Sequence, residues 1–281
     1  MKELEGVAAF ITGGGGGIGL GIAQCLARRG VRLAIADVSA GKLVSARALA
    51  EEEGWAANAI FLPLDISDRG AFAAALARAE ESCGPLRILI NNAGVAVNGP
   101  VAEAGFPDWD WALAVNLGGV VNGIVCGLPL LRRHGLGGHI VNTASLGALM
   151  PPRPTRGIYA TTKSAIIALS EHLRLDLEGS GIGVSVLLPG PTRTNIEDSW
   201  QLRPAELREG SRFDGLAKAG TTQPPADLPW RDPTEIGEMT LAGILENRPY
   251  IVTHPEYAGA VKARNRTIED AIADWGDAGN G

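Results

Sequence analysis

Thr12-Gly13-Gly14-Gly15-Gly16-Gly17-Ile18-Gly19 is the stretch on which the reading of this chain turns. It follows an apolar run at residues 7–12 and opens an amphipathic run at 18–29, which makes it a strand-to-helix turn. Glycine in such a turn lets the chain reverse tightly, brings backbone close to a pyrophosphate, and lets the helix pack on the strand. The helix N-terminus then offers unpaired N–H groups and a partial positive charge to phosphate oxygens. Five consecutive glycines satisfy two registers at once: GxGxxG as Gly14, Gly16 and Gly19, and TGxxxGxG as Thr12, Gly13, Gly17 and Gly19. A glycine cluster alone could equally be a flexible turn, so its context matters. Asp37 stands 18 residues beyond Gly19, at the end of the next apolar run. A carboxylate there accepts hydrogen bonds from adenosine ribose hydroxyls and repels a 2′-phosphate. The following Val38-Ser39-Ala40 supply no arginine to offset that repulsion. The expected cofactor is NAD(H) rather than NADP(H); the alternative is that Asp37 merely caps the next helix.

Outward from the turn, short apolar runs alternate with longer amphipathic ones. Residues 7–12, 31–37, 59–64, 86–91, 138–145, 182–188 and 250–253 read as strands. Residues 18–29, 40–53, 69–83, about 107–134, 158–178, 233–247 and 257–275 read as helices, the first three closed by Gly30, Gly54 and Gly84. Strands that are apolar throughout and separated by helices belong to a parallel sheet buried on both faces. The expected fold is therefore a single doubly wound α/β sheet of about seven parallel strands, with helices on both faces. It occupies residues 1–255, and 256–281 form a C-terminal helical extension of the same domain. Residues 191–232 are rich in Pro, Gly and charge, with Trp200, Phe213 and Trp230 among them. They are too long for an ordinary connection and read as a substrate lid. In open parallel sheets ligands bind beyond the carboxyl ends of the strands. At those ends lie the glycine turn, Asp37, Asp65, Asn91-Asn92-Ala93-Gly94, Ser145 and Pro189-Gly190.

The 281 residues are 46% hydrophobic and 20% charged, with a net charge of −6. That composition excludes a wholly disordered chain, and the lack of a basic run argues against a nucleic-acid partner. Cys25, Cys83 and Cys126 are far apart, form no CxxC pair and have no histidine spacing suited to zinc. They read as reduced thiols of a cytoplasmic protein without a metal site. The apolar N-terminal stretch is broken by the glycines and carries no cleavage signal. No uninterrupted apolar run reaches the ~18 residues needed to span a bilayer, so no membrane association is expected.

Tyr159 and Lys163 are four apart on an expected helix and so project from one face. With three tyrosines in the chain, a chance YxxxK is about a one-in-twenty event. A phenol titrates near ~10, too weak for acid–base work at neutral pH, but a fixed ammonium beside it favours the phenolate. Tyr159 is thus a candidate to pass a proton to or from a carbonyl or alcohol oxygen. Ser145, at the end of the preceding strand, is placed to hydrogen-bond that oxygen. The plainer readings are a helix-start aromatic, a solvated lysine and a strand-end cap.

Together these residues resemble the short-chain dehydrogenase/reductase family, over nearly the whole chain up to about residue 255. The matching pieces are Thr12–Gly19, Asp37, Asp65, Asn91-Asn92-Ala93-Gly94, Asn116, Ser145, Tyr159–Lys163 and Pro189-Gly190-Pro191-Thr192-Arg193-Thr194. The resemblance implies a Rossmann-type fold and a catalytic set of Asn116, Ser145, Tyr159 and Lys163, with Asn116 holding a water that relays protons to Lys163. It implies that Gly13, Gly16, Gly17 and Ile18 meet the cofactor phosphates, and that Asp65 and Ile66 border the adenine. Asn92, Ala93 and Gly94 would line the cofactor cleft, Lys163 would also bind the nicotinamide ribose, and Pro189, Thr192 and Thr194 would touch the nicotinamide end. Two departures stand out: the spacing of Ser145 and Tyr159, and the residues past Thr253, which run longer than the family minimum. Ser145 and Tyr159 are 14 apart, one more than the family pattern, and Pro151-Pro152-Arg153-Pro154 fills the interval. Thr194-Asn195-Ile196 with Leu202-Arg203-Pro204 is similar to a branch acting on bulky aryl secondary alcohols.

The expected activity is hydride transfer between NAD(H) and a ketone/secondary alcohol pair. The substrate would have apolar bulk under the lid, touching Ser145, Tyr159 and Trp200, with Val97, Leu149 and Met150 nearby. A regulator that binds NAD without turnover is the alternative, though it has no chemical need for all four catalytic residues. A lyase or dehalogenase on the same fold should have lost the glycine turn. The resemblance also implies a homo-oligomer, dimer or tetramer, through the helices near 107–134 and 158–178. Gly118, Gly119, Gly123 and Gly127 would permit close helix approach there, or simply ease packing on the sheet.

Overall fold

In the computed structural model, residues 3–213 and 229–278 are described, the side chains of 276–278 excepted. Part of the expected lid, 214–228, lies outside the described residues. Seven strands form one parallel sheet: β1 (Ala8–Thr12), β2 (Arg32–Asp37), β3 (Ala59–Pro63), β4 (Leu86–Asn91), β5 (Gly138–Thr143), β6 (Ile182–Leu188) and β7 (Tyr250–Val252). Their order is β3-β2-β1-β4-β5-β6-β7, every pair parallel. The chain thus starts in the middle of the sheet, winds to one edge, returns and winds to the other. That reversal between β1 and β4 opens a crevice at their carboxyl ends.

The strands are apolar throughout because both faces are covered. On one face α1 (Gly17–Ala27), α2 (Ala40–Glu52) and α7 (Pro233–Glu246) pack Ile22, Leu26, Leu43 and Ile236 against Ile11, Leu33 and Ile35. On the other, α3 (Arg69–Cys83), α5 (Gly119–Arg133) and α6 (Gly157–Asp176) cover Phe10, Leu89, Ile140 and Val186. Each such side chain, fully buried, contributes roughly 1.5–3 kcal/mol. Asp68 caps α3 by accepting from Ala71 N at 2.9 Å, and Asp232 with Glu235 forms a capping box on α7. Helices α1 and α7 cross with almost no side chain between them: a Cβ on Gly237 would lie 2.4 Å from Gly21 O.

The long helical region expected near 107–134 is composite. α4 (Phe106–Ala112) runs through a π-helical turn, Leu113–Gly118, into α5. The resulting run Phe106–Arg133 has a mean hydropathy of 1.7 over its most apolar 18 residues, long and apolar enough to cross a membrane by length and composition alone. The interruptions by Gly, Asn and Pro that broke it up in the sequence do not break the helix. One face lies on the sheet, where Gly119 abuts Ile66, Gly123 abuts Asn91 and Gly127 abuts Leu89. Those glycines therefore serve packing on the sheet, the second of the two roles expected for them.

Residues 191–213, part of the expected lid, form one wall of the crevice. A 3₁₀ segment, Ile196–Leu202, is fastened by Ser199 Oγ, which accepts from Ala96 N at 2.9 Å. Further on, Arg203 is buried on Asp108 at 2.8 Å and stacks 4.6 Å from the Trp111 ring centroid. Ser211 donates to the same Asp108 oxygen at 2.6 Å, and Arg212 N donates to the other at 3.0 Å. This wall closes the crevice on the side away from β3.

Candidate active site

The carboxyl ends of the strands open into one cavity of about 1150 Å³. At its floor the glycine turn resolves the ambiguity of register. Gly13 and Gly17 have φ of +63° and +51°, which favours glycine, and a Cβ on Gly19 would sit 2.2 Å from Gly13 O. A Cβ on Gly16 would have ordinary room, its nearest neighbour 3.7 Å away. The backbone therefore demands the TGxxxGxG register. Thr12 Oγ1 accepts from Asn92 N and Ala93 N at 3.0 and 3.1 Å, and the Asn92 amide donates to Thr12 O and Gly13 O. The turn and the Asn92-Ala93-Gly94 loop are thereby one unit, and Gly13, Gly16, Gly17, Ile18 and that loop all face the cavity.

Asp37 is buried at the end of β2, accepting from Gly15 N at 3.1 Å and Ser39 N at 3.0 Å. The cap of α2 is Ser39, whose hydroxyl accepts from Lys42 N. Asp37 is therefore not that cap; it holds the glycine turn to β2, and its oxygens keep lone pairs for further donors. Asp65 accepts from the backbone and hydroxyl of Ser67, and Ile66 is buried against Gly119. Both line the cavity with Asp37. Pro189, Thr192 and Thr194 line it beyond β6, with the Thr194 methyl against Gly17. Gly190 N donates to Thr253 Oγ1 and His254 Nδ1, and the His254 ring leaves no space for a Cβ at Gly190.

Tyr159 and Lys163 lie on α6 and Ser145 at the end of β5, all on the cavity. Desolvation pushes the Tyr159 phenol up to about 12, against the opposing pull of the Ser145 hydroxyl bonded to it and of Arg156. Burial pushes the Lys163 ammonium down to about 8. Its Nζ donates to Thr143 O at 2.8 Å and stands 5.6 Å from the Tyr159 ring centroid. In the protein atoms alone burial leads both shifts, raising the phenol and lowering the ammonium. Asn116 is fully buried in the π turn, one layer behind the cavity. Its amide grips Val95 at both N–H (2.8 Å) and C=O (3.0 Å) and donates to Thr162 Oγ1 at 3.1 Å. The Asn116 carbonyl oxygen and Lys163 Nζ both flank Gly94, 3.1 and 3.3 Å from where its Cβ would be.

Between Ser145 and Tyr159, just before α6, Thr155 adopts φ +64°, a strained conformation for a β-branched residue. On the substrate side the cavity is bordered by Met150, Ile196, Leu202, Leu207, Trp230 and Tyr257. Trp200, Val97 and Leu149 do not line it. Sequence reasoning missed a closed network at this wall: Arg156 donates to Asn98 at 2.9 Å and Glu197 at 3.1 Å, and Asn98 donates to Glu197 at 2.7 Å. No local signal joins residues so far apart along the chain.

The family model described as short chain dehydrogenase matches residues 7–204. The C alpha-dehydrogenase of Sphingobium sp. strain NBRC 103272 / SYK-6 is 35% identical over 274 residues, covering 97% of this chain and 88% of that protein. A short chain dehydrogenase/reductase from Burkholderia phymatum in complex with NAD superposes with a TM-score of 0.86 at 33% identity, covering 96% of each chain. The apo form of LigO from Sphingobium sp. strain SYK-6 gives a TM-score of 0.81 at 35% identity, over 99% of this chain and 93% of that one. The chain belongs to the short chain dehydrogenase family.

Proposed function

We propose that this protein is an NAD(H)-dependent oxidoreductase acting on a ketone/secondary alcohol pair whose substituents are bulky and apolar. The observation that carries the reading is the meeting of Ser145, Tyr159 and Lys163 in the same cavity as the glycine turn and Asp37. Gly13, Gly16 and Gly17 lining the cavity beside Ile18, a carboxylate at the end of β2 and a buried ammonium together fit a nicotinamide dinucleotide. Gly13, Gly16, Gly17 and Ile18 would hold its phosphates, Asp37, Asp65 and Ile66 its adenosine, and Asn92 to Gly94, Lys163, Pro189, Thr192 and Thr194 its nicotinamide half. The dinucleotide supplies or accepts the hydride. The NAD in the Burkholderia structure and the dehydrogenase name of the Sphingobium relative support this choice.

The chain's own groups handle the substrate oxygen. Ser145 donates a hydrogen bond to it and so disperses charge that grows there. With its phenol near 12, Tyr159 Oη carries a proton at neutral pH and gives it to the oxygen during ketone reduction. Alcohol oxidation requires Tyr159 to receive that proton, and Lys163 is the positive charge close enough to favour the receiving state. Asn116 fixes the loop that holds Gly94 against Lys163. The apolar wall excludes water from the reacting face.

Residues 1–255 act as one unit with 256–281 as its extension, since β7 completes the sheet and Tyr257 and Arg264 reach the cavity. Val121 and Val125 on α5 and Leu175 on α6 are exposed, which supports a homo-oligomer formed through these two helices. Three free cysteines fit a reducing compartment such as the cytoplasm. The test follows absorbance at the NADH band with aryl and alicyclic secondary alcohols, NAD⁺ against NADP⁺, and Tyr159→Phe as the blank. Turnover with NAD⁺ that falls about 10²–10⁴-fold in the blank is expected. Tight NADH binding without turnover on any substrate would favour the regulator, and binding of neither nucleotide would overturn the reading.

A further inference from the structure

The last helix, α8 (Ala258–Ala278), leaves the body of the molecule after its first turns, and residues 265–275 are all exposed. Three features make it unsuited to stand in water alone. Val261, Asn265, Ile268, Ile272 and Trp275 follow a 4-3-4-3 spacing, the seam of a coiled coil. Ile268, Ile272 and Trp275 on that seam are 51%, 69% and 82% exposed. Its charges are also segregated: Lys262, Arg264 and Arg266 in the first half, Glu269, Asp270 and Asp274 in the second. That order opposes the helix dipole, which favours anions at the N-terminus and cations at the C-terminus. Lys262 with Arg266, and Asp270 with Asp274, are moreover like charges at i,i+4, which repel. None of these charged side chains is in an ion pair among the described residues.

We propose that α8 is a self-association surface that pairs antiparallel with α8 of a second copy of this chain. An antiparallel partner brings the basic half of each helix onto the acidic half of the other and covers both apolar seams. It also opposes the two helix dipoles. A parallel partner would set like charges side by side. A twofold interface must be self-complementary, and a helix basic at one end and acidic at the other satisfies that by itself. This surface is separate from the exposed faces of α5 and α6. Because Arg264 of the same helix lines the cavity, pairing of α8 also holds one edge of the substrate side.

The test is the mass of the intact protein by sedimentation equilibrium, with NADH binding as the check on folding. Ile268→Glu/Ile272→Glu is expected to halve the mass while NADH binding stays. Two charge-reversed proteins make the second test: Lys262→Glu/Arg266→Glu, with an acidic α8, and Asp270→Lys/Asp274→Lys, with a basic one. Each alone is expected at half the wild-type mass, and their equimolar mixture at the full mass. An unchanged mass for Ile268→Glu/Ile272→Glu overturns the surface. A halved mass there, with charge-reversed proteins that keep full mass alone or fail to recover it on mixing, overturns the antiparallel pairing.

Discussion

A buried cation decides much at the residue scale. Lys163 is 2% exposed and its ammonium is pushed down to about 8, below the ordinary lysine value, by burial. Between that value and the unfolded one the unfolded chain binds more protons than the folded chain, so the stability of the ligand-free protein rises as pH climbs through this window. Below it the buried charge weighs fully against folding. Lys163→Met is therefore expected to stabilise the ligand-free protein at pH 7 by about 1–3 kcal/mol while abolishing turnover. Urea unfolding read at pH 7 checks this, and a destabilised variant would contradict it. Asp37 carries a separate expectation. Its removal takes away the repulsion of a 2′-phosphate, so Asp37→Ala should move the NADH-to-NADPH affinity ratio by tenfold or more toward NADPH in fluorescence titrations. An unchanged ratio would remove Asp37 from cofactor selection.

At the scale of elements, the substrate wall and the crossing of α1 with α7 are the stress points. Arg203 and Asp108 form a buried pair, and removing one partner leaves an uncompensated charge, at about 3–5 kcal/mol. Arg203→Leu should loosen the wall by that order, and Asp108→Leu/Arg203→Leu should recover much of it; a double variant no better than the single would refute the charge argument. Burial alone would push the Asp108 carboxyl up, but bonds from Ser211, Arg212 N, Arg203 and Gly105 N hold it below the usual carboxylate range. Its contribution is thus complete above the unfolded carboxylate value and is lost as pH falls through the lowered folded one. Trp111, stacked on Arg203, reports this by fluorescence during acid titration. Gly237→Ala would bring a methyl group 2.4 Å from Gly21 O and should cost about 1–3 kcal/mol by overpacking, measured by thermal melting.

For the whole molecule, the cavity joins segments from six strand ends and from the C-terminal region, so a ligand there ties the two halves of the sheet together. NADH at a hundredfold its Kd should add about 2.7 kcal/mol to stability, a Tm rise on the order of 5 °C for a chain this long. NADPH at the same concentration should raise Tm by far less. Equal shifts would mean that Asp37 does not discriminate, whatever its place at the end of β2.

The chain by itself determined the architecture. Apolar runs buried on both faces leave only a parallel sheet, and their alternation with amphipathic runs sets the winding and the edge where ligands bind. Tyr159 and Lys163 were legible because helical periodicity is local: four residues apart is one face whatever else folds around it. The register of the five glycines was not legible, since it depends on Asn92-Ala93 pressing on Gly13 from another strand end. The π turn at Asn116 was hidden for the same reason, since its amide meets the Val95 backbone, 21 residues away, only in the folded chain. Tertiary structure alone also placed the Arg156–Asn98–Glu197 network and joined Ser199, in the expected lid, to the Ala96 backbone. It also raised the Tyr159 phenol by burial, since desolvation belongs to the assembled cavity and not to the neighbours of a residue in sequence.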